Sequence, residues 1–386
     1  MTESPGGLFV LVTFSFPGYS SAMDQPLPAA PRKGRGAIGN PTGRFEAERR
    51  YAVDDGWGSG DEEAPPLATT VTLDASRTVI TRNASPDISF DRSINPYRGC
   101  EHGCIYCYAR PSHAYLGLSP GLDFEARLFA KPDAARILER ELGDPKYRCR
   151  VIALGTNTDP YQPIERRFRI TRQILEVLAA CSHPVGIVTK SALVLRDIDI
   201  LAPMAERRLA KVFVSVTTLD RRLARRMEPR AATPERRLET IRGLSRAGIP
   251  VGVMAAPMIP ALNDAELERI LEAAAQAGAR SAGYVLLRLP REIKGLFQEW
   301  LEAHEPLKAE HVMSLVRETH GGRLYDSTYG IRMRGTGPYA ELLGRRFRRA
   351  CKRLGLNLSD GSTFGEPLDT TRFRPPARHG DQLSLL

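Results

Sequence analysis

Short β-branched and apolar runs recur along the middle of the chain, each followed by an amphipathic helical pattern, and this alternation restricts the fold more than any other feature. The runs are Ser93 to Tyr97, Val151 to Leu154, Val185 to Thr189, Val212 to Val216, Val251 to Ala255 and Gly283 to Leu287. Helical patterns occupy Pro132 to Leu142, Thr171 to Ala180, Leu219 to Met227, Pro234 to Ala247 and Ala265 to Ala277. Strands alternating with helices pair in parallel through right-handed crossovers, so the sequence predicts an α/β sheet, open and doubly wound or curved into a barrel. Six such units suggest an incomplete barrel.

Local signals support several of these elements. Thr233 before Pro234 and Glu235 supplies an N-cap, a proline suited to the first turn and an acid near the positive end of the helix dipole. Gly248 is placed to stop that helix, and Leu238, Ile241 and Leu244 give it one apolar face. Asn263 is expected to cap the next helix, where Leu267, Ile270, Leu271 and Ala274 recur at helical spacing. Residues 71 to 93 carry β-branched alternation and are expected to add edge strands ahead of the main domain. In parallel α/β architectures the active site lies at the carboxyl ends of the strands, so residues just after each strand are the functional candidates.

After the first strand comes Gly99-Cys100-Glu101-His102-Gly103-Cys104-Ile105-Tyr106-Cys107-Tyr108, a Cys-x3-Cys-x2-Cys array. Six cysteines in 386 residues are too few for a disulfide scaffold, and the crowding of three points to a metal or cofactor in a reducing compartment. Thiolates favour iron–sulfur clusters and zinc. A four-iron cluster held by three cysteines leaves one iron without a protein ligand, open to a substrate or cofactor. A structural zinc would have to recruit His102, His113 or a distant cysteine as its fourth ligand. A redox Cys-x2-Cys pair would leave Cys100 unexplained. Cys149, Cys181 and Cys351 lie in strand or helix settings and read as structural thiols.

Cys100, Cys104 and Cys107, with Tyr106 directly before the third cysteine, resemble the signature of the radical S-adenosylmethionine (radical SAM) enzymes. The resemblance implies a partial (β/α)6 TIM-type barrel and a [4Fe-4S] cluster with those three cysteines as metal ligands. It further implies S-adenosylmethionine chelated to the unique iron through its amino and carboxylate groups, and an electron donor that drives cleavage to methionine and a 5′-deoxyadenosyl radical. Gly155-Thr156-Asn157-Thr158-Asp159-Pro160-Tyr161-Gln162-Pro163-Ile164-Glu165, Thr189-Lys190-Ser191, Ser215, Glu228-Pro229 with Arg237, and Ala256-Pro257 resemble the branch of spore photoproduct lyase, a DNA photoproduct repair enzyme. This likeness covers roughly residues 90 to 290. In one respect the chain departs from it: that enzyme carries a cysteine hydrogen donor in the loop after the second strand, and Val151 to Glu165 contains none.

The resemblance assigns roles to particular side chains. Thr156 and Asn157 offer oxygen acceptors to the amino group of S-adenosylmethionine, with Asp159 as either a helper or a turn former. Lys190 offers a point charge to the carboxylate or ribose, Ser215 a hydrogen bond to the same groups, and Arg230 a bidentate contact. Tyr106 would approach the adenine. Tyr108 is the candidate catalytic residue, as a hydrogen-atom relay beside the cluster. A solvated lysine and a satisfied strand hydroxyl are the structural alternatives for Lys190 and Ser215, and packing is the alternative for Tyr108.

Charge divides the chain into three: an arm over 1–70, a barrel over 71–320 and a basic extension over 321–386. The net charge of +10 arises as about −3, +7 and +6 over these segments, so positive charge is densest at the end. Arg345-Arg346-Phe347-Arg348-Arg349-Ala350-Cys351-Lys352-Arg353 reads as a helix with a cationic face, either solvated or turned to nucleic acid phosphates. The arm is poor in apolar anchors and reads as mobile and disordered, with Arg32 to Gly36 as a linker or a phosphate contact. Gln382-Leu383-Ser384-Leu385-Leu386 resembles the pentapeptide by which bacterial proteins engage the sliding clamp, or else packs on its own domain.

Leu8 to Phe16 is too short to span a bilayer, and Glu3 ahead of it speaks against a secretory signal. Translation beginning at Met23 would account for the residues before it. The expected location is cytoplasmic. The sequence thus suggests a radical SAM enzyme acting on nucleic acid, with modification of a protein or small molecule, or a zinc-stabilised nucleic-acid-binding module without catalysis, as the alternatives.

Overall fold

The computed structural model describes residues 31–46, 67–358 and 367–376. Strands β1 (Thr70–Leu73), β2 (Ile80–Arg82), β3 (Arg92–Ile94), β4 (Tyr97–Arg98), β5 (Arg127–Ala130), β6 (Ile152–Leu154), β7 (Val185–Thr189), β8 (Ala210–Ser215), β9 (Val251–Met258) and β10 (Ser281–Leu286) form two sheets. The main sheet runs β10-β9-β8-β7-β6-β3-β2. From β3 to β10 every neighbouring pair is parallel and the strands follow chain order without reversal. A doubly wound sheet needs a reversal of strand order to place helices on both faces. Six parallel strands wound in one direction with right-handed crossovers instead keep their helices on one side, the arrangement of a partial (β/α)6 barrel.

Crossover helices cover Ala134–Leu142, Ile170–Ala180, Ile198–Glu206, Pro234–Arg246 and Leu267–Gln276. Their apolar stripes close on the sheet: Ile241, Leu244, Leu267, Ile270, Leu271 and Ala274 are all fully buried in the main core, together with Val212, Val214 and Val253 of the strands. Thr233 caps its helix by accepting from the Arg236 amide, and Gly248 turns the chain with φ of 74° beyond Ala247. Asn263 does not cap with its side chain. It instead accepts from the Ile259 amide and donates to the carbonyls of Thr217 and Pro257, tying the end of β9 to the end of β8.

Several features differ from the sequence expectation. The run Ser93 to Tyr97 is two strands in two sheets, because Pro96 has no amide to continue the ladder and its carbonyl accepts from Lys131. β4 pairs with β5 and β5 with β1, so a small second sheet frames the cysteine loop. The helix Ile198–Glu206 was hidden by Pro203 within it. The mobile arm expected over 1–70 does not hold for residues 31–46. Ala37 and Ile38 are buried in a core cluster with Ile105, Phe297 and Trp300, and Arg35 donates to the carbonyls of Glu125 and Leu67. Residues 367–376, part of the expected tether, also dock: Arg374 donates its amide to Cys181, and the Phe373 ring lies 5.3 Å from His183, at the amino end of β7. The pentapeptide Gln382–Leu386, and Met23, lie outside the described residues. No helix among the described residues is long and apolar enough to cross a membrane.

Candidate active site

The cysteine loop leaves β4 at Gly99 and is a series of tight turns, in which Gly103 donates to Cys100 O, Cys107 to Cys104 O and Arg110 to Cys107 O. Cys100 and Cys104 are buried, Cys107 is half-buried, and all three are free thiols. Gly103 adopts φ of 67°, and a Cβ there would stand 2.7 Å from a Glu125 oxygen. That close approach admits only glycine without displacement.

Buried polar side chains hold the loop from below. Arg110, fully buried, donates to the carbonyls of Cys104 (2.9 Å), Gly103 (3.1 Å) and Gly121 (2.9 Å) and pairs with Glu125. Glu125 in turn accepts from the amides of Gly36 (2.9 Å) and Ala37 (2.8 Å). The segment 31–46 is therefore fastened to the same carboxylate as the loop. A Cβ on Gly36 would fall 1.7 Å from the Gly103 carbonyl oxygen. Sequence reasoning missed this entire support, because its partners are some 90 residues apart and Glu125 follows no motif.

The loop after β6 contributes a second brace. Gly155, at φ of 87°, brings the backbone so close to β7 that a Cβ would stand 1.9 Å from Val188 O. Gln162 donates to Gly99 O and accepts from Glu101 N at 3.1 and 2.9 Å. Asp159 accepts from Thr189 Oγ1 and from the Lys190 amide, both at 2.7 Å, and from the Tyr161 amide at 2.9 Å, and it also meets His102 Nδ1 at 3.3 Å. Burial would raise its pKa, but His102 and these donors hold its carboxyl below the ordinary carboxylate range. Asp159 is thus neither a turn former alone nor a free acceptor; it joins β7 to the cysteine loop.

The predicted site residues converge unequally. Tyr106 is buried, its hydroxyl donating to Glu228 at 2.6 Å beside Thr217, with Lys190 Nζ 5.7 Å from its ring centre. Glu228 also meets Arg237 at 2.9 Å and lies 3.8 Å from Cys104 Sγ. Burial opposes its charge, yet Arg237 and Lys190 keep its pKa lowered. The Lys190 ammonium forms no ion pair among the described residues, and the side chains of Thr156, Asn157 and Ser215 make no hydrogen bond there. Tyr108 is exposed and donates its hydroxyl to Thr156 O, which ties the residue after the third cysteine to the β6 loop. Arg288, after β10, lies over the Tyr108 ring with its Cζ 4.9 Å from the centre. Arg230 does not join this group: its guanidinium is engaged by Glu101 at 2.6 Å and by Thr69. Its amide also donates to His102 O at 3.3 Å, so backbone and side chain alike are tied to the cysteine loop.

Among the described residues no group of three His, Cys, Asp or Glu side chains is placed to hold a single metal ion. A zinc site draws its ligands onto one centre, whereas a cubane cluster takes each thiolate on a different iron. Three free thiols on one turn-rich loop, at the carboxyl end of the first parallel strand, are a donor set that fits the latter. Cys149, Cys181 and Cys351 stand elsewhere, and burial pushes their thiols up to about 11.

Comparison with known proteins agrees with this arrangement. Residues 94–274 match the radical SAM superfamily. An uncharacterized protein of Mycobacterium bovis is 38% identical over 232 residues, 60% of this chain and 68% of its own. An uncharacterized protein of Methanocaldococcus jannaschii is 29% identical over 176 residues, 45% of this chain and 62% of its own. Among solved structures, spore photoproduct lyase complexed with dinucleoside spore photoproduct superimposes with a TM-score of 0.52 at 17% identity, over 74% of this chain and 80% of that one. At that identity the likeness is one of fold. The chain belongs to the radical SAM superfamily, whose enzymes use a [4Fe-4S] cluster and S-adenosylmethionine and draw on an electron donor.

Proposed function

We propose that this radical SAM enzyme acts on nucleic acid, with Cys100, Cys104 and Cys107 as the cluster ligands. When bound, the cluster and S-adenosylmethionine supply a 5′-deoxyadenosyl radical that abstracts hydrogen from the substrate. Among the described residues, Thr156, Asn157 and Ser215 offer uncommitted polar side chains at the ends of β6 and β8, and Lys190 a cation without an ion pair after β7. These suit the amino, carboxylate and ribose groups of S-adenosylmethionine. The Tyr106 ring lies 5.7 Å from Lys190 Nζ while Glu228 holds its hydroxyl, which suits a place beside the adenine. Tyr108, exposed beside the third cysteine, is the candidate relay of a hydrogen atom.

The observation that carries the nucleic acid reading is the fold shared with spore photoproduct lyase across most of the barrel, joined to the basic C-terminal helix. The absence of a cysteine between Val151 and Glu165 separates the reading from photoproduct cleavage as that enzyme performs it and favours a different outcome on a nucleic acid.

The test is anaerobic reconstitution followed by reductive cleavage assays, with undamaged DNA, irradiated DNA and tRNA added in turn. Roughly four irons per chain and production of 5′-deoxyadenosine are expected, both lost in Cys104→Ala. A nucleic acid that raises 5′-deoxyadenosine yield and gains a mass change supports the substrate class. Turnover stimulated only by protein or small-molecule fractions would replace it. Binding of about one zinc without S-adenosylmethionine cleavage would remove the enzymatic assignment.

A further inference from the structure

The helix Gly337–Leu354 sorts its basic residues into two sets. Leu343, Phe347, Ala350 and Cys351 face the core. On one flank Arg346 pairs with Glu268 at 2.7 Å and approaches Asp264, and Arg353 reaches Glu272 at 4.0 Å. These cations are neutralised by the helix Leu267–Gln276 and its N-terminal turn. On the other flank Arg345, Arg348, Arg349 and Lys352 recur at i, i+3, i+4 and i+7, all exposed, and none pairs with a carboxylate among the described residues. The sequence showed one basic run; the structure divides it into a spent side and a free side.

A groove adjoins the free side. Arg334, Arg345 and Arg348 line a cavity of about 370 Å³ together with Tyr284 of β10, Gly344 and Glu341. Arg334 lies 5.9 Å from the Tyr284 ring centre and forms no ion pair among the described residues. Gly344 keeps the floor open, because a Cβ there would come within 3.2 Å of the Tyr284 hydroxyl and 3.4 Å of Arg348. Against three arginines the lining holds a single acid, so the groove carries net positive charge. Glycine in a helix interior costs about 1 kcal/mol relative to alanine, so its place here is not explained by helix stability.

We infer that this stripe and its groove form a phosphate-tracking surface for the backbone of a nucleic acid, and the inference rests on the nucleic acid reading above. From Arg345 to Lys352 the stripe spans about 10 Å along the helix axis, roughly three nucleotide steps of one duplex strand. Unpaired arginines on one face supply point charges and forked donors to successive phosphates, which gives affinity without sequence preference.

The test measures the salt dependence of binding by fluorescence anisotropy, using a labelled 20-bp DNA duplex, its single strand and a tRNA with the reconstituted full chain. The variant Arg345→Gln, Arg348→Gln, Arg349→Gln is compared with a control of equal charge loss, Arg236→Gln, Arg242→Gln, Arg246→Gln, on the exposed side of the helix Pro234–Arg246. Melting temperature and iron content establish that both variants fold. Loss of three phosphate contacts lowers the slope of log affinity against log salt by about 2.7 on the duplex and about 2 on the single strand. The stripe variant should show this loss and the control should not. Arginine-to-lysine replacement at the same three positions should restore most of the slope. Equal losses in both variants, or no loss in the stripe variant while the parent binds, overturn the surface and leave the nucleic acid reading standing. A parent chain that binds none of the three probes removes that reading and the surface with it.

Discussion

Replacing Glu125 by Gln probes how the cysteine loop is held. The carboxylate is fully buried, accepts from the amides of Gly36 and Ala37, and faces the fully buried Arg110. A carboxamide keeps one acceptor oxygen and turns a donor toward groups that are themselves donors. At least one of those N–H groups then lacks a partner, and Arg110 loses the counter-charge it has among the described residues. Breaking a buried ion pair from one side costs about 3–5 kcal/mol, most of it the penalty for the stranded charge. At roughly 1–2 °C per kcal/mol for a chain of this length, the melting temperature of the cluster-free chain should fall by on the order of 5 °C. Because Arg110 also holds the carbonyls of Gly103 and Cys104, iron uptake on reconstitution should fall with it. Trypsin should gain access to Arg35, whose side chain the docked segment buries. Circular dichroism melts, iron analysis and limited proteolysis read the three effects. Pairing the change with Arg110→Met should cost less than the sum of the single variants, by on the order of 2 kcal/mol. A Glu125→Gln chain that melts within about 2 °C of the parent and keeps 31–46 protected would refute the reasoning.

Gly36→Ala places a methyl against the Gly103 carbonyl, and overpacking of this kind costs about 1–3 kcal/mol, so the melting temperature and iron content should both drop while S-adenosylmethionine affinity of the loaded fraction stays the same. Lys190→Gln should weaken S-adenosylmethionine binding about tenfold, or about 1.4 kcal/mol, with iron content retained, as read by equilibrium binding to the reconstituted chain. His183 is fully buried, lies 2.8 Å from the Tyr147 hydroxyl, and has a pKa pushed down to about 4 by burial. Its depressed pKa means the unfolded chain takes up a proton first, so its contribution is whole above about pH 6.5 and is lost as pH falls toward 4, up to about 3 kcal/mol. Urea titrations across that window should show His183→Gln losing less stability than the parent; parallel losses would exclude the group.

The alternation of runs and amphipathic patterns was enough to give the parallel α/β class, because periodicity of 2 and 3.6 is a local property that burial of one face imposes on every residue in turn. Thr233, Pro234 and Gly248 marked a helix for the same reason: caps act within a few residues. The cysteine array was equally legible, since three thiols on one short loop are neighbours whatever the rest of the chain does. Tertiary structure alone decided what supports that loop. Gln162 and Asp159 look like parts of a binding motif but brace the loop. Arg230 looks free and is spent on Glu101, and Arg35 to Ala37 look like a linker and are pinned to Glu125. Each of these depends on a buried hydrogen bond or ion pair between residues far apart in sequence, and no local pattern encodes such a partner. The same holds for charge: composition gives +10, but only packing against Glu268 and Glu272 shows which arginines are already neutralised and which still face outward.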